Sequence, residues 1–328
     1  MTPVKWGVLG VATHFVRRVY LGTRNSSDVE IAAIASRSPG KATESARELG
    51  IPKGYGSYEE LLADKSIEAV YIPLPNHLHL EWIKKAADAG KHVLCEKPLG
   101  MNAQEVEEAI DYARKKGVIL MEAFMYRFHP QWRHVRDLIR IGEIGAVTAV
   151  QSTFFYTNKD PANIRNMLET GGGGLMDIGC YAVSSARFLV GHEPKRVVSL
   201  VYRDPDMKID RLTSGILDFG NVQATFTVAT QNFPHQHVDI YGTSGTISVD
   251  IPFNTPADVP VKVNLRDSIG ARDLTFPAQD QYRLEFEAFS RAVRDNAEAP
   301  TLPEDALANQ RVLDALFASE HSGSWESL

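Results

Sequence analysis

Through roughly its first 120 residues the chain alternates short apolar runs with stretches of helical periodicity, a pattern that few architectures accept. Val4 to Leu9, Ile31 to Ala35, Ala69 to Ile72, Val93 to Cys95 and Val118 to Met121 read as buried strands. Ala42 to Leu49, Tyr58 to Ala63, Leu80 to Ala89 and Ala103 to Lys116 read as the helices between them. Strand–helix alternation of this kind gives a doubly wound parallel sheet, here expected to hold six strands. Open sheets of that class bind ligands beyond the carboxyl ends of their strands, so the residues that follow each run carry the functional information.

The first run ends in Gly10-Val11-Ala12-Thr13-His14-Phe15, a small-residue turn leading into a helical stretch. Helix-start amides and the helix dipole suit a pyrophosphate there. Gly10 can take the tight turn, and the small Ala12 lets the backbone come close. The third glycine of a G-x-G-x-x-G pattern falls at Phe15, whose ring must instead pack against the sheet. After the second run stand Ser36-Arg37-Ser38, with Lys41 a turn later. An acid at that point accepts hydrogen bonds from an NAD ribose, whereas arginine forks onto a 2′-phosphate, so the pattern favours NADP over NAD.

Pro73-Leu74-Pro75-Asn76-His77-Leu78-His79 follows the Ala69 to Ile72 run, and its prolines bar both helix and sheet. Asn76 can cap the next helix. His77 and His79 have no third ligand nearby in sequence and would diverge on a helix, so no metal is expected. His92 to Cys95 runs into Glu96-Lys97-Pro98, a carboxylate and an amine delivered to the sheet edge. An amine there can have its pKa tuned or can polarise a substrate oxygen. A cis peptide bond is expected before Pro98.

Beyond Met121 the grammar changes. A helix leads through about Ile141, then come strand-like runs at Ala146–Tyr156, Arg196–Tyr202, Thr213–Phe219, Val222–Thr230, His237–Tyr241, Gly245–Val249 and Val261–Leu265. Phe219-Gly220-Asn221 and Gly242-Thr243-Ser244-Gly245 are hairpin signals, which imply antiparallel pairing. A wide sheet covered by few helices leaves a face that wants a partner, so self-association is expected. Within this half, Gly171 to Gly174 make a backbone that can approach a ligand closely. Asp177 and Tyr181 follow four residues apart, on one face of a helix. A phenol beside a carboxylate can move a proton at a substrate oxygen.

A chain of 328 residues exceeds one comfortable core and argues for two domains. We place the first at 1–123, a substrate-binding and oligomerisation α/β domain at 124–300, and a helix and tail at 301–328 that pack back on the first. Arg283 to Arg294 reads as a further amphipathic helix, and Glu304 to Ser319 as another. A net charge of -6 argues against nucleic acid or an anionic membrane as the main partner. The two cysteines, Cys95 and Cys180, suit a reducing compartment. With no signal-peptide pattern and no apolar run of about 20 residues, a cytoplasmic location is expected.

Taken together, these residues resemble the glucose–fructose oxidoreductase/inositol dehydrogenase (Gfo/Idh/MocA) family. The dinucleotide-type first strand, Asn76 and His79, Glu96-Lys97-Pro98, Glu122-Ala123 and Gly174-Leu175-Met176-Asp177-Ile178-Gly179-Cys180-Tyr181 stand in the family's order over essentially the whole chain. The resemblance implies a Rossmann domain, then an α/β domain whose open sheet builds a homodimer or homotetramer. It also implies hydride transfer between a nicotinamide cofactor and a hydroxyl or carbonyl carbon of a sugar or polyol, with no metal required. By the same resemblance Gly10, Ala12 and Thr13 serve the pyrophosphate, and Ser36, Arg37 and Lys41 the 2′-phosphate. Leu74, Pro75, Asn76, His79, Glu96, Lys97 and Arg127 complete the cofactor side. Lys97 and Tyr181 handle the proton, Asp177 orients the substrate, and Phe154, Tyr156 and Arg165 line its site. Tyrosine at position 181, where members acting on inositols usually carry histidine, resembles the branch of aldose (xylose) dehydrogenases, dihydrodiol dehydrogenases and anhydro-sugar reductases. An aromatic diol substrate and a non-catalytic, cofactor-loaded sugar sensor are the competing expectations.

Overall fold

The computed structural model describes residues 2–328. They divide into two compact units, the first running to Met125 and taking in Gln281–Leu307, the second comprising Tyr126–Asp280 and Ala308–Leu328.

In the first unit β1 (Val4–Leu9), β2 (Val29–Ala35), β3 (Lys53–Tyr55), β4 (Ala69–Ile72), β5 (His92–Glu96) and β6 (Leu120–Ala123) form one sheet. Its order is β3-β2-β1-β4-β5-β6, parallel throughout, so the strand order reverses between β1 and β4 and opens a crevice there. The six expected strands are present. β3, a mostly exposed Lys-Gly-Tyr triplet, is too short and polar to show a hydrophobic pattern. Helix Ala103–Lys116 starts where its chemistry dictates: the Asn102 side chain accepts from the Glu105 amide at 2.9 Å, and Glu105 reaches back to the Met101 amide at 3.0 Å. Asn76 does not act as the expected cap. It lies inside a 3-10 turn, Asn76–Leu78, and the helix His79–Asp88 begins after it with no side-chain cap.

The helix after β1 also departs from expectation. Phe15–Val19 is a π-turn before a short α-helical turn at Tyr20–Thr23. Phe15, occupying the small-residue position, is fully buried and packs on Tyr20 and Tyr71, with ring centroids 6.0 and 6.1 Å away.

The expected boundaries at 124–300 and 301–328 are corrected by the packing. Helix Gln281–Asp295 belongs to the first unit because Phe286 and Phe289 pack at a tilt on Trp6, at 4.6 and 5.3 Å, and Ser290 accepts from the Trp6 indole at 3.0 Å. Arg291 and Arg294 both pair with Asp28. Helix Pro303–Ser322 starts in the first unit, where Ala306 joins the core of the parallel sheet. From Ala308 it belongs to the second unit. Ser199 donates to the Leu316 carbonyl, Arg203 forks onto Glu320, and the terminal strand pairs with the second sheet.

That second sheet takes β7 (Val147–Thr157), β8 (Arg196–Arg203), β9 (Asp210–Asp218), β10 (Gln223–Ala229), β11 (Gln231–Gly242), β12 (Gly245–Val249), β13 (Val261–Asp267), β14 (Ala271–Phe276) and β15 (Glu326–Ser327). Their order is β14-β13-β12-β11-β7-β10-β9-β8-β15, antiparallel except where β7 lies parallel to β10. Both hairpin signals form as read, β9 with β10 and β11 with β12. Alternation sets the two faces: Ala224, Phe226 and Val228 are buried, whereas Thr225 and Thr227 lie half-buried on the open side. Among the described residues, no helix is long and apolar enough to cross a membrane.

Candidate functional site

In the first unit the candidate groups stand at the carboxyl ends of the parallel strands. Gly10 has φ +130, a conformation that favours glycine, and a Cβ there would meet Leu74 Cδ2 at 3.2 Å. Thr13 is exposed and Ala12 half-buried in the turn that follows. At the end of β2, Ser36 is buried and its hydroxyl accepts from the Ser38 amide at 3.2 Å, while Arg37 and Lys41 are exposed. Beyond β4, Leu74 is buried and Pro75 and Asn76 half-buried. A close backbone turn, a basic pair one strand away and a strand-order reversal fit a dinucleotide phosphate chain.

Glu96 and Lys97 close β5, and the Lys97–Pro98 bond is cis, as expected. Burial raises the Glu96 carboxyl, but His14, Lys97 and Tyr71 together outweigh it and hold the group at about 2. Tyr71 donates to Glu96, and the His14 ring lies 3.6 Å from the same carboxylate. Helix Gln281–Asp295 adds Glu285, whose carboxyl is pushed well up by burial and then by the charge of Glu96. None of His14, Tyr71 and Glu285 was expected here. Tyr71 lies inside a strand that reads as pure core, and Glu285 stands nearly two hundred residues further along, a separation no local pattern spans.

His79, expected beside the nicotinamide, is fully buried, with both ring nitrogens 2.8 Å from backbone carbonyls, those of Leu74 and Pro98. It stands between the loop after β4 and the loop after β5 and braces them. Arg127 is likewise buried, in the second unit. It donates to the Ser184 hydroxyl at 2.7 Å and lies over the Phe188 ring.

The second unit gathers the expected substrate residues. Tyr156 donates to Asp177 at 2.7 Å, and Arg165 pairs with the same carboxylate at 3.2 Å. Burial and then the Asp177 charge push the Tyr156 phenol up. Tyr181 is 6% exposed and set among Phe154, Phe253 and Tyr126, at centroid distances of 5.8, 5.3 and 6.0 Å. Asp177 and Tyr181 were expected on one regular helix. Instead Leu175–Gly179 is a π-turn and the α-helix begins at Cys180, so the four-residue spacing is not that of one regular α-helical turn. Phe253 was missed; it sits in a loop between strands with no periodic signature.

The glycine run was expected to approach a ligand, but at two positions the chain itself fills the space. A Cβ on Gly173 would lie 2.0 Å from Asp210 Oδ1, and one on Gly172 would lie 2.6 Å from the Arg165 carbonyl. Asp210 is buried, accepts from the Leu175 amide at 2.6 Å and from the Thr213 hydroxyl at 3.1 Å, and is pushed up to about 7 by burial. It therefore anchors the start of the segment that presents Asp177 and Tyr181. At 35 residues from Leu175, it left no local trace in the sequence.

A parallel sheet whose order reverses beside a glycine turn and a charged strand end has the architecture of a dinucleotide-binding domain. Residues 4–124 match the model of the oxidoreductase family with an NAD-binding Rossmann fold, and residues 132–248 match the GFO/IDH/MocA C-terminal domain. The chain belongs to the Gfo/Idh/MocA oxidoreductase family. It is 42% identical to an uncharacterised oxidoreductase, ORF334, of Rhizobium meliloti, with 100% of both chains covered. It is 40% identical to D-xylose 1-dehydrogenase (NADP(+)) 2 of Haloferax volcanii, over 97% of this chain and 98% of the relative. Among solved structures, KijD10, a 3-ketoreductase from Actinomadura kijaniata in complex with NADP and TDP-benzene, superposes with a TM-score of 0.91. That similarity comes at 30% identity, covering 97% of this chain and 98% of the other.

Proposed function

We propose that this protein is an NADP-preferring sugar dehydrogenase or reductase. It moves hydride between nicotinamide and a hydroxyl or carbonyl carbon of a sugar or sugar derivative. The observation that carries the reading is Arg37, exposed at the end of β2 beside buried Ser36, where an acid would repel a 2′-phosphate. The similarity to an NADP-linked xylose dehydrogenase and to an NADP-bound sugar ketoreductase supports it.

Gly10, Ala12 and Thr13 hold the pyrophosphate, and Ser36, Arg37 and Lys41 hold the 2′-phosphate, with Leu74, Pro75 and Asn76 along the cofactor. When bound, nicotinamide supplies or takes up the hydride. Lys97, steadied at the strand end by the ionised Glu96, holds the substrate oxygen. Tyr181 donates or accepts the proton at that oxygen, and Asp177, fixed between Tyr156 and Arg165, orients a neighbouring hydroxyl. Positioning two reactants can contribute up to ~7–11 kcal/mol, and acid–base help roughly 10²–10⁴-fold.

The test is absorbance at the reduced-nicotinamide band while aldoses, deoxy-ketosugars and dihydrodiols are supplied with each cofactor. Turnover of a sugar with NADP is the expected result; binding without turnover of any sugar would make the protein a sensor. A second reading, a reductase or dehydrogenase of aromatic dihydrodiols, draws on the Phe154 and Phe253 rings against Tyr181. Preference for the dihydrodiol in the same assay would select it.

Self-association through the open sheet, as a dimer or tetramer, is part of the proposal. Val198, Leu200, Tyr202 and Ile216 stand on that face, with Leu200 60% and Tyr202 55% exposed. Light scattering that gave a monomer would refute it.

A further inference from the structure

The ladder between β5 and β6 ends where Glu96 stands opposite Ala123, one residue after Cys95 stands opposite Glu122. Past that point the chain leaves the sheet as Lys97-Pro98-Leu99, and its backbone groups lose the partners that a neighbouring strand supplies. Leu99 is 1% exposed and belongs to the core of the parallel sheet, so its amide needs an acceptor inside the protein. Glu122 supplies it. Its side chain, 5% exposed, accepts from the Leu99 amide at 2.8 Å. A carboxyl group one strand over thus takes the place of the ladder bond.

Other contacts hold the same turn. The Pro98 carbonyl lies 2.8 Å from the His79 ring, and Glu105 accepts from the Met101 amide at 3.0 Å. The amide of half-buried Lys97 donates to Glu96 Oε2 at 3.3 Å. Lys97 is therefore fixed from both sides, by Glu96 before it and by Leu99 two positions after it. The hold on Leu99 comes from a side chain that no step of the proposed reaction uses. Misplacing a reacting group by about 1 Å can cost ~10²-fold in rate, which is less than the length of one methylene step.

We propose that Glu122 is a positioning residue, which sets where Lys97 meets the substrate by holding the Leu99 amide from the neighbouring strand. The inference rests on the reading of Lys97 as the group that holds the substrate oxygen. Glu122 acts through the turn, so the reach of its side chain matters and its charge does not.

The experiment compares the full chain with Glu122→Gln, Glu122→Asp, Lys97→Ala and the double substitution of Glu122→Asp with Lys97→Ala. Gln keeps the reach and an oxygen acceptor, whereas Asp keeps a carboxyl but withdraws it by one methylene. Turnover is measured with the sugar on which the full chain is fastest, NADPH binding by fluorescence titration, and folding by a melting curve. The expected result is a fall in kcat of roughly 10- to 100-fold in Glu122→Asp, with NADPH affinity unchanged, and kcat within about threefold in Glu122→Gln. Adding Asp to Lys97→Ala should produce no further fall. A loss of about tenfold or more in Gln would make charge the requirement and overturn the positioning role. A further fall in the double substitution would overturn it as well. If Lys97→Ala abolishes turnover and Glu122→Asp leaves it intact, the inference fails while the reading of Lys97 stands. If Lys97→Ala keeps normal turnover, that reading fails and takes the inference with it. The rate at which trinitrobenzenesulfonate labels Lys97, followed by mass spectrometry, gives the same contrast without turnover of any sugar. A change of about threefold or more in Asp and none in Gln is expected, and any other pattern would overturn the inference.

Discussion

In the first unit the functional groups stand where parallel strands stop: Gly10 after β1, Arg37 after β2, Asn76 after β4 and Lys97 after β5. In the second they sit on a π-turn and helix, Asp177 and Tyr181, braced by β7, a distant loop and the buried Asp210. Strand ends are placed by the sheet, which a run of apolar residues specifies locally. The helix is placed by packing between remote segments, so its geometry depends on residues that reveal nothing individually. The two units should therefore respond differently to substitution.

The largest effect is expected in the second unit. Tyr181→Phe should lower turnover by roughly 10²–10⁴-fold while NADPH titrates as before. Near-normal turnover would remove Tyr181 from the proton transfer. Next comes its packing: Phe253 is fully buried against Trp132, Phe154 and Tyr181, so Phe253→Ala should cost about 3–5 kcal/mol in denaturant melts. A loss below about 1 kcal/mol would mean the cluster collapses freely and does not brace the phenol.

Arg37→Ala, in the first unit, should act on recognition alone. The NADP preference should shrink at least tenfold, about 1.4 kcal/mol, with turnover at saturating cofactor preserved. An unchanged ratio would place the guanidinium in water.

The pH response separates the units by its sign. Asp210, at about 7 in the fold against ~3.9 unfolded, contributes stability that is full below about pH 4 and lost as pH rises through 7. Glu96, at about 2 against ~4.3 unfolded, contributes stability present above about pH 4 and lost as pH falls through 2. Asp210→Asn should flatten the decline in stability between about pH 4 and 7, and Glu96→Gln the decline in acid. Parallel slopes in both variants would erase the distinction.

How much was legible follows the same line. Five of the six parallel strands, the two hairpins, the charged end of β5 and the helix at Ala103 were readable because each is written in a few neighbouring residues. Tyr156 and Arg165, expected near the substrate, do meet at Asp177. What escaped was non-local or exchanged one role for another. The carbonyls of Leu74 and Pro98 that flank the ring of His79 belong to two separate loops, which no local pattern brings together. Gly173 reads as room for a substrate, yet Asp210 fills that room from another strand. The boundary at 300 failed because Phe286 and Phe289 look like any amphipathic helix until Trp6 is seen beneath them.

The helix beginning at Gln281 carries a consequence for biogenesis. A ribosome makes β1 early, but the residues that cover Trp6 emerge only after β7 to β14 have been synthesised. The nascent nucleotide-binding half must therefore wait with an aromatic face uncovered. Expressing residues 2–125 alone would leave that face permanently bare, an invitation to aggregate that the longer polypeptide escapes when the segment 281–307 returns to the first unit.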